Sequence, residues 1–113
     1  MAEGAPRRSR RPSGGVPPPT GAVDMARGVF TVKNRLGLHA RAATKLVLLA
    51  ARFPCEVTIS RDSQSANAKS VMGVLLLCGS KGTKLTVEAV GQDAGDAVRE
   101  LGHLIDDGFG ELD

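Results

Sequence analysis

Tryptophan and tyrosine are absent from this chain, and phenylalanine occurs only at Phe30, Phe53 and Phe109. A core must therefore be aliphatic, and a surface that binds nucleic acid by stacking bases on aromatic rings has almost nothing to stack with. Cysteine is nearly absent too. Cys55 and Cys78 form no CxxC pair and match no zinc spacing, so they read as two reduced, buried thiols of a cytosolic protein. The longest apolar runs, 46–51 and 71–78, are too short for a bilayer span. No Walker-type glycine loop, kinase signature or elbow serine of a hydrolase is present.

What remains is 113 residues, 42% of them hydrophobic, which suits one domain with a modest core. The formal net charge of +3 is concentrated near the start, where Arg7, Arg8, Arg10, Arg11 and Arg27 face only Glu3 and Asp24. From Gly28 to Asp113 the chain carries 10 basic and 10 acidic residues, so neither a nucleic-acid groove nor an anionic membrane surface is indicated. Residues 1–27 hold five of the six prolines and read as a disordered basic tail, with the domain proper at 28–113. Ser9-Arg10-Arg11 superficially suggests a twin-arginine export signal, but Pro17-Pro18-Pro19 stands where an apolar stretch is required. The abrupt change of composition also makes Met25 an alternative translation start.

Beyond Gly28 the pattern is regular. Phe30 and Val32 alternate with Thr31 and Lys33 as a half-buried strand, and Gly37 permits a sharp turn. From His39, residues Ala43, Leu46, Val47, Ala50 and Ala51 form a helical stripe, which Phe53-Pro54 ends. Val57 and Ile59 mark a second strand, and Arg61-Asp62-Ser63 turns it into a third at 64–68. A short helix is expected over 69–78, closed by Gly79, then a strand through Leu85, Val87 and Ala89. The last helix starts near Asp93, with Ala94, Ala97, Val98, Leu101, Leu104 and Ile105 facing inward. The expected order is βαββαβα: an α+β fold with three helices on one face of a four-stranded, mainly antiparallel sheet.

Gly37-Leu38-His39-Ala40-Arg41 places an imidazole where a helix begins. The first backbone N–H groups of a helix lack intrahelical partners and its dipole is positive there, which favours an anion and leaves a ring nitrogen nucleophilic. The backbone of Ala40 and Arg41 would meet a phosphoryl group, and the Arg41 guanidinium could fold toward its oxygens. Phosphoryl transfer asks mainly for such positioning and charge neutralisation. No second acid or base accompanies His39 locally, as expected of a carrier whose chemistry its partners complete. On spacing alone, His39 reads more readily as a plain N-cap and Arg41 as a solvated first-turn charge.

The segment Asn34-Arg35-Leu36-Gly37-Leu38-His39-Ala40-Arg41-Ala42-Ala43 resembles the active-site segment of HPr, the histidine-containing phosphocarrier of the bacterial phosphotransferase system. The resemblance continues through Ser65-Ala66-Asn67-Ala68-Lys69-Ser70-Val71-Met72, Gly82-Thr83 and Gly91-Gln92-Asp93-Ala94. It implies an open-faced β-sandwich without cofactor or metal. It further implies that His39 is phosphorylated on Nδ1 by enzyme I, at the expense of phosphoenolpyruvate, and donates to enzyme IIA domains, with Arg41 steadying the phosphoryl group. The family usually has proline where this chain has Ala42. The resemblance also implies a cytoplasmic monomer serving sugar uptake or nitrogen-related regulation.

Ser70, at the start of the second helix, reads as an N-cap. In some HPr proteins the matching serine is phosphorylated by HPr kinase/phosphorylase, which makes Ser70 a candidate regulatory site. The helix that follows is apolar on two faces: Val74, Leu77 and Cys78 on one, Val71, Met72 and Leu75 on the other. By resemblance the first is core and the second a partner-binding patch beside His39. His103, without other ligands at metal spacing, reads as a surface histidine.

Overall fold

The computed structural model describes residues 24–111, so the expectations for a tail lie almost wholly outside the described residues. Four strands and three helices follow in the order β1 (Met25–Thr31), α1 (Ala40–Ala50), β2 (Glu56–Arg61), β3 (Gln64–Asn67), α2 (Val71–Leu76), β4 (Lys84–Val90) and α3 (Ala94–Asp106). A single 3₁₀ turn, Gly108–Gly110, closes the described chain. The strands form one sheet in the order β1-β4-β2-β3, and every pairing is antiparallel. The helices cover one face and leave the other open, the open-faced β-sandwich expected from the sequence.

The core is built by period-two burial on the sheet meeting helical stripes. Leu85, Val87 and Ala89 of β4 point inward, as do Val57 and Ile59 of β2, and Ile59 lies opposite Val87. Against them pack Ala43, Leu46 and Ala50 of α1, Val74 of α2, and Ala97, Leu101 and Ile105 of α3. The fit of α3 on β1 depends on Gly102, where an added Cβ would lie 2.2 Å from the Phe30 ring. Alanine and glycine thus let helix and sheet approach while Phe30 fills the gap.

Four details differ from the sequence reading. Strand β1 begins at Met25, pairing with Val90, so residues 25–27 belong to the sheet rather than to the tail. Its hydrophobicity is inverted there: Met25 and Val29 face solvent while small Ala26 and Gly28 face inward, which hides the alternation. Helix α2 is shorter than 69–78, and Cys78, at φ 54°, takes the left-handed terminating position assigned to Gly79. Cys78 is consequently exposed and no part of the core, although Cys55 is buried as expected. Gly79 serves instead for close approach: its carbonyl accepts from Leu38 N–H at 2.8 Å, and a Cβ would stand 2.9 Å from the Leu38 side chain. Ala51 is the exposed C-cap of α1 rather than part of its stripe.

Candidate functional site

The loop from β1 to α1 sets the position of His39. Gly37 turns at φ 66°, and a side chain there would collide with the Gly79 carbonyl, 2.4 Å from its Cβ. The chain then enters α1 with His39 as N-cap in extended geometry, φ −76° and ψ 177°. The imidazole Nδ1 accepts a hydrogen bond from the backbone N–H of Arg41 at 3.2 Å. A nitrogen that accepts carries no proton, so the hydrogen of the neutral ring resides on Nε2.

Nε2 faces Oε2 of Glu111 at 2.5 Å, a contact across 72 positions of sequence. The side chains of His39 and Glu111 are 26% and 17% exposed, so the pair is only partly shielded from water. The second carboxylate oxygen of Glu111 accepts from Asn34 Nδ2 at 2.9 Å, and the same amide donates to the Gly37 carbonyl at 2.9 Å. Asn34 is the buried polar residue beneath this cluster, 1% exposed. The Asn34 hydrogen bond, reinforced by His39 and by the charge of Lys45, holds the Glu111 carboxyl below the usual carboxylate range against a smaller opposing effect of burial.

Glu111 reaches the site on an anchored turn. Phe109 is fully buried despite a left-handed φ of 60°, and its carbonyl accepts from Lys45 Nζ at 2.7 Å. His39 and Arg41 are legible in the sequence as site residues; Asn34 and Glu111 are not. The available signal was slight: Gly108-Phe109-Gly110 places a large apolar residue between two glycines after the last helix.

Of the other expected site residues, Arg41 contributes its backbone N–H, and its side chain is exposed beside Ala40. Ser70 is the N-cap of α2, its hydroxyl accepting from Gly73 N–H at 3.1 Å. Met72 is 68% exposed, Val71 lies at the edge of exposure and Leu75 is half-buried, while Val74 and Leu77 are core. Leu76 and Leu48, not singled out in the sequence, are as exposed as Met72. His103 is a surface residue.

An open-faced β-sandwich whose first helix is capped by an imidazole with a proton-accepting nitrogen at the helix terminus defines the class of small histidine phosphocarriers. Residues 26–107 match the family model described as PTS HPr component phosphorylation site. A phosphocarrier protein HPr of Xylella fastidiosa is 44% identical over 82 residues, covering 73% of this chain and 92% of the relative. A phosphocarrier protein NPr of Shewanella violacea is 46% identical over 81 residues, covering 72% and 89%. The crystal structure of HPr-C-His from Thermoanaerobacter tengcongensis aligns with a TM-score of 0.74 at 36% identity, covering 77% of this chain and 98% of that one. The chain belongs to the HPr family of phosphocarrier proteins of the phosphotransferase system.

Proposed function

We propose that His39 accepts a phosphoryl group on Nδ1 from enzyme I, charged by phosphoenolpyruvate, and passes it to enzyme IIA domains. The observation that carries this reading is the hydrogen bond that Nδ1 accepts from the Arg41 N–H at 3.2 Å, which leaves that nitrogen's lone pair, not a proton, at the N-terminus of an 11-residue helix. A phosphoryl group on that nitrogen would replace the ring as acceptor for the Arg41 N–H and lie beside the Ala40 backbone, in the positive field of the helix. Such an end stabilises an anion by about 0.3–1 kcal/mol at an exposed position, and the Arg41 guanidinium adds a charge-assisted donor. The protein carries the group; the partners complete the chemistry.

Val71, Met72 and Leu75 supply an apolar docking face on α2, extended by exposed Leu76. Partners read this face and the phosphorylated ring together, working on a cytoplasmic monomer. Ser70 is a regulatory phosphorylation site for an HPr kinase/phosphorylase where one is present. A phosphate there would take over the capping role of the hydroxyl toward Gly73 N–H and place negative charge next to the docking face, inhibiting transfer. Relatives bearing both HPr and NPr names fit either sugar uptake or nitrogen-related regulation as the pathway.

The test is intact-mass measurement after incubation with enzyme I and phosphoenolpyruvate. An acid-labile gain of one phosphate, abolished by His39→Ala, is expected. A chain left unlabelled by an enzyme I that labels a known HPr would reject the reading.

A further inference from the structure

We infer that Glu111 is a positioning residue for phosphoryl transfer at His39: its carboxylate keeps the ring proton on Nε2 and balances the charge the ring acquires when Nδ1 carries phosphate. This rests on His39 being the phosphoryl acceptor.

The carboxylate is held from both sides. Oε2 meets Nε2 of the ring, and Oε1 is bound by Asn34 Nδ2. Asn34 donates both its amide hydrogens, to Glu111 and to the Gly37 carbonyl, and its own Oδ1 is left buried without a partner. A buried amide oxygen without a partner costs free energy, and the opposite orientation of the amide would set oxygen against two acceptors. The orientation adopted thus favours Glu111 over the amide itself. Asn34 above all, then the ring and Lys45, are the groups that draw the Glu111 carboxyl toward its ionised form, with Lys45 contributed by α1 and Arg41 lying exposed on the first turn of that helix.

The chemistry gives this arrangement a purpose. Transfer begins when the Nδ1 lone pair attacks phosphorus of the donor's phosphoryl group; the bond from phosphorus to the donor atom breaks and its electron pair stays on that atom. No proton moves, so the accepting ring emerges with phosphate on Nδ1, hydrogen on Nε2 and a formal positive charge. A carboxylate at Nε2 stabilises that charge, as the buried aspartate of a Ser-His-Asp triad stabilises its imidazolium. In the onward step the P–N bond of His39 breaks, and a ring still protonated on Nε2 departs as neutral imidazole. Had the Nε2 proton been lost to water, the departing group would be an imidazolate, a far poorer one.

The test compares the full chain with Glu111→Gln, which conserves shape and removes charge. Ring 15N chemical shifts of His39 in the unphosphorylated proteins report where the proton sits. Both proteins are then charged with enzyme I and phosphoenolpyruvate, freed of enzyme I, and followed for phosphate loss between pH 5 and 9. An opposite charge at hydrogen-bond distance holds a proton on a ring over about one further pH unit, so the fast-hydrolysing regime of the variant should shift down in pH by about that much. Its Nε2–H tautomer should also be less populated. Superimposable profiles and unchanged 15N shifts would overturn the inference while leaving the carrier reading intact. So would a uniform slowing at every pH, which indicates only a looser structure. Failure of the wild-type chain to charge would reject the carrier reading and this inference with it.

Discussion

Truncation of Phe109 to alanine is the substitution that tests most directly how the C-terminal turn is tied to the domain. The ring is fully buried within the core cluster, and its backbone sits at φ 60°. Alanine inherits the left-handed backbone, so no strain is relieved and the loss is that of a buried aromatic, about 3–5 kcal/mol. A domain of about 90 residues has a total stability of roughly 4–13 kcal/mol, so much of it would go. At about 4–8 °C per kcal/mol, the melting temperature should fall by about 12–40 °C. Phe109→Leu, which preserves most of the volume, should cost less than about 1.5 kcal/mol. Circular dichroism melts and urea titrations of the three proteins give the comparison. A Phe109→Ala protein within about 1 kcal/mol of the parent would refute the reasoning, because it would mean the turn packs on the domain without supporting it.

Met72→Glu should weaken association with enzyme I about tenfold or more while leaving the melting temperature unchanged, since Met72 is exposed and an apolar anchor carries interface energy; titration calorimetry reads this. Ala42→Pro should stabilise the domain by about 0.4–1 kcal/mol, because the residue lies in the first helical turn, where proline is tolerated; a loss of stability would mean that the packing around fully buried Ala42 has no room for the ring. Lys69→Met should cost about 2 kcal/mol in urea titrations, since Nζ holds the carbonyls of Phe53 and Cys55 at 2.8 Å each and methionine offers neither a donor. The lowered Glu111 carboxyl contributes stability that is present above the unfolded value of about 4.3 and is lost as pH falls through the lower folded value. The Asn34 side-chain amide resonances should therefore stay in place from neutral pH down past the unfolded value of about 4.3 and move only below it, as the carboxyl protonates; movement setting in above about pH 5 would contradict the assignment.

The fold was largely legible because β4, β2, α1 and α3 each bury one face, and burial leaves a period in the sequence. Leu85, Val87 and Ala89 announce a strand just as Ala97, Val98, Leu101 and Ile105 announce a helix. The same logic failed at the start of β1, where the inward residues are Ala26 and Gly28 and the larger Met25 and Val29 face water. At the end of α2 the competing signal was Gly79: glycine commonly marks a left-handed terminator, but here it is reserved for contact with Leu38 and Cys78 bears the positive φ. His39 and Arg41 were legible because helix-terminus chemistry is local. Glu111 and Asn34 were not, since a pair meeting across 77 positions leaves no periodicity, and neither residue type is diagnostic.

The strand order has a kinetic consequence. β4 lies between β1 and β2 and is, among the described residues, the only strand that β1 pairs with, so Met25 must find Val90 across most of the domain. Loop closure over that distance is entropically costly, which places the domain among slower, non-local folders rather than with helical bundles. Until β4 is in place, β1 is an orphan strand presenting Met25 and Val29 together with unpaired backbone groups. Aggregation during refolding should therefore scale with the lifetime of that species, and substitutions that slow the docking of β4 should lower the yield of folded protein even where they leave its final stability untouched.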